Sequence, residues 1–128
     1  MTAQTDILRS ASAWLQGKRH DHAAQTVIYR RGALEICLRA TIGRTEFTRD
    51  DEAGASIVAV SRDFLVRADD LMVDGAIGRP QAGDRILEST PTGQIVHEVA
   101  APGDQPVWRY SDAWRLTLRI HTNEIGTG

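Results

Sequence analysis

The sequence predicts a mainly β protein: a small β-barrel or sandwich of six to eight short, mostly antiparallel strands, preceded by one amino-terminal helix. Two observations carry this. Apolar and polar residues alternate in several runs, most strictly in AWRLTLRIH, where Leu116, Leu118 and Ile120 interleave with Arg115, Thr117, Arg119 and His121. Glycine, proline and aspartate punctuate the chain between those runs, at the short intervals of strands joined by turns. A chain of 128 residues suits a single structural domain, with residues 1–24 as helix and connector and 25–128 as the β domain.

The elements follow in order. Thr5 or Asp6 can cap a helix in which Ile7, Leu8, Ala11, Trp14 and Leu15 share one face, with Arg9, Ser10, Ser12 and Gln16 on the other and Gly17 as its stop. The connector KRHDH is polar. From Thr26, Gly32 separates two strands; in the second, Leu34, Ile36, Leu38, Ala40 and Ile42 face one way and Glu35, Cys37, Arg39 and Thr41 the other. RTEFTRDDEAGAS, charged and broken by glycine, reads as a strand end followed by a long mobile loop. Ser56 to Val60 and Arg62 to Arg67 return to strand character, and Ala68 to Val73 is a turn or short element. Pro80 and Gly83 mark a connection with a Gly83-Asp84 turn. Arg85–Glu88 and Gln94–Ala100 flank STPTG as a hairpin, and the alternating strand around Leu116 to Ile120 closes the chain.

Composition narrows the function. The 15 basic and 17 acidic side chains leave a net charge of -2 and are spread along the chain, so no basic field attracts phosphates. All of the basic residues but Lys18 are arginine. One cysteine, Cys37, rules out an internal disulfide framework and a multi-cysteine zinc site. No run approaches the roughly eighteen apolar residues of a membrane span, and the first residues lack the charge and apolar run of a signal peptide, so a soluble protein made in the cytoplasm is expected.

The residue types that carry chemistry are present without the arrangement chemistry needs. His20 and His22 could ligate a metal, but they lie in a polar connector with no third ligand, and a solvated loop is the better reading. His97 and His121 fall on separate strands and propose no reaction as a pair without a carboxylate. Cys37 has Arg39 on the same face, yet a lone cysteine beside an arginine is usually inert. Asp50-Asp51-Glu52 and Asp69-Asp70 are adjacent residues whose side chains diverge, whereas acid–base work needs two carboxyls in contrasting settings across a cleft. Gly75, Gly78 and Gly83 are not followed by a phosphate-binding helix. No catalytic residue, metal or cofactor is expected. What remains is an interface: the charged loop Arg49, Asp50, Asp51 and Glu52, and the segment VWRYSDAWR, where Trp108, Tyr110 and Trp114 share a strand parity beside Arg109 and Arg115, with Arg119 beyond. Tryptophan, tyrosine and arginine dominate interface hot spots; stacked on arginine they can also hold single-stranded nucleic acid, and a tryptophan can simply close a barrel end.

FLVRADDL, then AGDRI, then IVHEV resembles the head-to-tail joining and neck proteins of tailed bacteriophages, including stopper-like connectors. The matching positions are Phe64, Leu65, Val66, Arg67, Asp69 and Asp70, then Gly83, Asp84 and Ile86, then Val96 and Val99, and more loosely Leu116 to Ile120. The resemblance covers about half of the chain. It implies a non-enzymatic β-barrel subunit of the virion, assembled in the host cytoplasm as a homo-oligomeric ring. That ring would lie between portal or adaptor protein and tail proteins, with packaged DNA passing through without sequence-specific binding. A tail terminator or tail completion protein is the alternative within phage assembly. A small cytoplasmic β-barrel binding module is the alternative outside it, and a small hydrolase or metal enzyme would need His20, His22, His97, His121 or Cys37 gathered in one pocket.

Overall fold

A computed structural model describes residues 24–71 and 77–127. They form seven strands, β1 (Gln25–Arg31), β2 (Leu34–Asp50), β3 (Ser56–Arg67), β4 (Arg85–Thr90), β5 (Gly93–Val99), β6 (Trp108–Tyr110) and β7 (Thr117–Thr127), with a 3-10 turn at Ala68–Leu71. The chain is mainly β, with every pairing antiparallel. The expected amino-terminal helix, together with His20 and His22, lies outside the described residues.

Tight turns set the registers. Arg31 faces Leu34 across Gly32-Ala33, with Gly32 at φ 60°, a conformation suited to a two-residue hairpin and cheap only for glycine. Thr90 faces Gly93, and the Thr90 hydroxyl donates to the Gly93 carbonyl at 2.8 Å, which shortens the expected STPTG loop to Pro91-Thr92. The strands lie in the order β3-β2-β1-β4-β5-β7-β6, and β3 also pairs with β7. The row β3-β2-β1-β4-β5-β7 therefore closes on itself, and β6 shares with β5 the edge of β7 that β3 leaves.

Alternation fills the enclosed face. Val27 and Tyr29, Leu38 and Ala40, Phe64 and Val66, Ile86, Val99, and Leu118 and Ile120 form one buried cluster, joined by Ala68, Leu71 and Ile77. Burial of each large side chain contributes on the order of 1.5–3 kcal/mol. Leu34, expected on the inner face of β2, is 48% exposed because it sits at the hairpin end beyond this cluster.

β2 is longer than expected, and the strand-like runs at 56–60 and 62–67 are one continuous strand, β3. β2 runs 17 residues and β3 runs 12. The segment expected as a strand end and a long mobile loop is strand as far as Asp50, paired residue by residue with β3 from Ala40↔Val66 to Asp50↔Ser56. Charge and polarity in RTEFTRDD marked a solvated surface rather than a loss of pairing. Only residues 51–55 turn, and Asp51 organises them: its Oδ1 accepts the Ala53 and Ala55 amides at 2.9 and 2.8 Å. β1 pairs with β2 as far as Gln25↔Ala40 and β7 with β3 as far as Thr122↔Arg62, so among the described residues the outer halves of β2 and β3 continue as a two-stranded ribbon.

Candidate functional site: a ribbon, its root, and an aromatic–arginine patch

The ribbon is anchored at its root by a buried carboxylate. Asp63, fully buried on β3, accepts from Ser61 Oγ at 2.6 Å and His121 Nδ1 at 2.9 Å through Oδ1, and from Thr45 Oγ1 at 2.5 Å and Arg119 Nη1 at 2.7 Å through Oδ2. It thus ties β2, β3 and β7 together where they part. Burial alone would raise its pKa, but the hydrogen bonds from His121, Ser61, Thr45 and Arg119 outweigh that and hold the carboxyl well below the usual carboxylate range. Gly43 makes room for this: a Cβ there would stand 3.0 Å from Arg119 Nη1 and from Leu65 Cδ1.

Ser61, His121 and Asp63 superficially suggest a hydrolase triad, and the geometry excludes it. A triad places serine and carboxylate on opposite imidazole nitrogens. Here Asp63 and, at 3.5 Å, Ser61 both approach Nδ1, while Nε2 is buried without a hydrogen-bond partner. The group is a structural clamp.

A second buried cluster lies on the inner face. Glu88 accepts from Arg62 Nε at 2.9 Å and Nη2 at 2.5 Å, from Gln25 Nε2 at 2.7 Å, and meets His97 Nε2 at 2.9 Å. His97 also sits edge-on to Phe64, with centroids 5.1 Å apart. A proton on its Nδ1 would find no partner. Burial is the main reason its pKa is lowered, with the Arg62 charge adding to it, so the imidazole is neutral and donates through Nε2 to the carboxylate. The sequence paired His97 and His121 without a carboxylate; the fold separates them and gives each its own, Glu88 and Asp63.

The Gly83-Asp84 turn is likewise held from within. Asp84 accepts from the Tyr29 hydroxyl, from Arg31 Nε and Nη2 at 3.0 and 2.8 Å, and from the Gln81 amide at 2.9 Å. Arg31 also donates to the Ile77 and Arg79 carbonyls at 2.9 and 2.6 Å, pinning the connection before β4.

The aromatic segment divides in two. Trp108 and Tyr110 stand on β6 and pack against the core, edge to face with centroids 5.1 Å apart. The Arg79 guanidinium lies 5.7 Å from the Trp108 ring and 5.9 Å from that of Tyr110, and Arg115 lies 5.6 Å from Tyr110. Trp114, expected to continue the same strand parity, instead occupies the turn between β6 and β7. Asp112 builds that turn by accepting the amides of Trp114, Leu116 and Thr117 at 3.1, 3.0 and 2.8 Å. β7 therefore begins only at Thr117 and runs on to Thr127, well past the expected alternating stretch. Arg115 in this turn has φ 59°, unusual for a side chain with a Cβ. Arg109 faces Arg119 directly across the β6–β7 pair; Arg119 turns to Asp63 and Arg109 remains exposed.

Of the sequence candidates, Arg49, Asp50, Asp51 and Glu52 are together and exposed at the ribbon tip, and Trp108, Tyr110 and Arg115 form a contiguous patch with Arg79, which the sequence reading missed. Arg119 belongs to the clamp instead. Arg79 carries no local signal; it reaches the patch only because Arg31 and Asp84 fold its connection back. Nothing in the local sequence singles out Asp63 or Glu88, whose partners Arg119, His121, Arg62 and His97 come from other strands. Cys37 is exposed on β2, whereas His97 on β5 and His121 on β7 are buried, and no group of three metal-ligating side chains occurs among the described residues.

No curated protein matches the chain. One family matches over residues 5–128, nearly the whole sequence and about twice the stretch on which the resemblance rested. Its description agrees with what the residues of β3, β4 and β5 suggested: the chain belongs to the phage head-tail joining protein family, the structural connectors of bacteriophage particles.

Proposed function

We propose that the protein is a neck subunit of the virion that assembles as a homo-oligomeric ring between portal or adaptor protein and tail, its closed six-strand sheet acting as a rigid barrel. The ribbon carries this reading: it projects a charged tip, Arg49 to Glu52, well beyond the packed core, as a contact arm would. The patch of Trp108, Arg109, Tyr110, Trp114 and Arg115 supplies a second contact surface, of the aromatic and arginine character that anchors interfaces. Acidic tips facing a shared channel would repel the phosphate backbone, so DNA slides through without sequence-specific binding. The subunit acts by geometry and association, with no chemical step.

The test is complementation of a phage lacking this gene. Trp114→Ala with Arg109→Glu, and separately Asp50→Lys with Glu52→Lys, should lower plaque yield by at least about tenfold, the size of one hot-spot residue of 1–2 kcal/mol. The unfolding midpoint should stay unchanged and tailless, DNA-filled heads should accumulate. Normal yield from both variants would refute the assignment of these surfaces. A single copy per neck in particle images would refute the ring.

A further inference from the structure

The unanswered charges of the ribbon tip and of the aromatic–arginine patch are opposite in sign. At the tip, Asp51 is engaged by the amides of its own turn. The Glu52 side chain has no hydrogen bond or ion pair among the described residues, and that of Asp50 accepts only the Ser56 hydroxyl, at 3.2 Å. In the patch, Asp112 is likewise engaged by the Trp114, Leu116 and Thr117 amides. The Arg109 guanidinium has no partner among the described residues, and that of Arg115 has only the Tyr110 ring. All four of these charged residues are exposed. A guanidinium stacked on a ring is fixed in orientation and can still grip a carboxylate bidentately. Asp69 and Asp70 stand on the 3-10 turn whose first residue, Ala68, donates its amide to the Leu116 carbonyl. The attraction is therefore local to the two arginines rather than a field of the whole end.

The two surfaces lie at opposite ends of the subunit. β7 meets β3 from Thr117 at Arg67 to Thr122 at Arg62, so Arg115 lies past one end of that pairing and the ribbon tip past the other. Roughly 36 Å of strand separates Arg67 from Ser56. With the ribbon root clamped by Asp63, the tip does not fold back onto its own patch. Neither surface suits itself, since tip on tip opposes carboxylates, patch on patch opposes arginines, and like charges set face to face exclude a partner. Complementary surfaces at opposite ends join unlike to unlike, the head-to-tail contact that closes into a ring when its rotation divides the circle.

We propose that the ribbon tip of one subunit, through Asp50 and Glu52, docks on the patch of the next, through Arg109 and Arg115. The partner of both surfaces is a second copy of this chain. The inference rests on the ring proposed above and supplies the contact that closes it. Asp51, engaged within its own turn, is left as the tip carboxylate that can face a channel.

Charge exchange in the phage complementation assay tests this. Asp50→Lys with Glu52→Lys, and separately Arg109→Glu with Arg115→Glu, should each lower plaque yield at least about tenfold. All four substitutions in one chain restore opposite charges at every contact and should return the yield to within about threefold of the natural protein. Cross-linking in purified particles gives a readout without charge reversal. On a Cys37→Ser background, Glu52→Cys with Arg109→Cys should oxidise to a ladder of linked chains, while either cysteine alone should leave single chains. Loss from each pair without rescue by the four, or no ladder, would overturn the tip-to-patch contact and leave the neck assignment standing. Dimers from one cysteine alone would show like surfaces meeting and overturn it as well. Normal yield from both pairs would remove these surfaces from the neck altogether, and the proposal with them.

Discussion

Removing the Asp63 carboxylate tests whether the ribbon is held by a buried ion cluster. Asp63→Ala deletes an acceptor with four donors and leaves Ser61 and His121, both buried, and Arg119 without their partner. Breaking a buried pair from one side costs about 3–5 kcal/mol. The Arg119 side chain is 21% exposed and can regain water, which places the expected loss at the lower end, about 3 kcal/mol. Asp63→Asn keeps volume and one acceptor for Ser61 and His121 but turns an amide toward Arg119, which cannot accept; about 2 kcal/mol follows. Urea unfolding at pH 7 measures both, as a lower midpoint at unchanged slope.

The sign of the pH effect follows from the depressed carboxyl. Its stabilisation is fully present above the unfolded-state pKa near 4 and is lost as pH falls through the lower folded-state value. The gap between the natural protein and Asp63→Asn should therefore narrow below about pH 4. A loss under about 1 kcal/mol for Asp63→Ala, or a gap constant with pH, would show that Ser61, Thr45, His121 and Arg119 hold the ribbon root without the charge.

Three further outcomes follow from the same geometry. His97 is held neutral by burial, so its contribution is complete above the unfolded pKa near 6.5 and declines as pH falls below it; His97→Gln, which can still donate to Glu88, should unfold with a midpoint flatter between pH 7.5 and 5.5, and an unchanged slope would contradict this. Gly43→Ala forces Arg119 or Leu65 aside and should cost about 1 kcal/mol net of the gain from leaving glycine; a more stable variant in thermal unfolding would show the neighbours yield freely. Arg115→Gly relieves a left-handed backbone worth about 1 kcal/mol while removing the contact to Tyr110, so it should unfold no more easily yet join heads to tails less well; full joining activity would separate Arg115 from the interface.

Period-2 alternation made the class of fold legible, because a strand with one buried face must write that face into every second residue. It worked best where one side is core, as in Leu118 and Ile120 or Leu38 and Ala40. It failed in the ribbon, which has little core behind it: the segment from Arg44 reads as a strand end running into a long loop because a strand solvated on both faces has no apolar period to detect. The ring-closing β3–β7 pair was invisible for another reason, since it joins residues far apart in sequence and no local propensity encodes it. The same holds for the site. The tip charges and the tryptophans announce themselves by residue type, whereas the Asp63 clamp exists only once β2, β3 and β7 meet.

The two carboxylate clusters divide the labour of the ribbon. On the core-facing side, Glu88 draws in Arg62 and, through Gln25, the start of β1; on the opposite side, Asp63 draws in Thr45, Arg119 and His121. They flank the point where β1 and β7 leave the ribbon, one on each face, so bending it either way must stretch charge-assisted hydrogen bonds rather than apolar contacts. Such bonds are short-ranged and directional, which fixes an angle better than packing does. In the proposed ring the tip would have to meet each neighbour at a defined angle, because an error at one subunit would repeat around every symmetry-related contact. Buried charge at the root, costly as it is to desolvate, is the arrangement that meets this requirement in a ribbon too thin to have a core of its own.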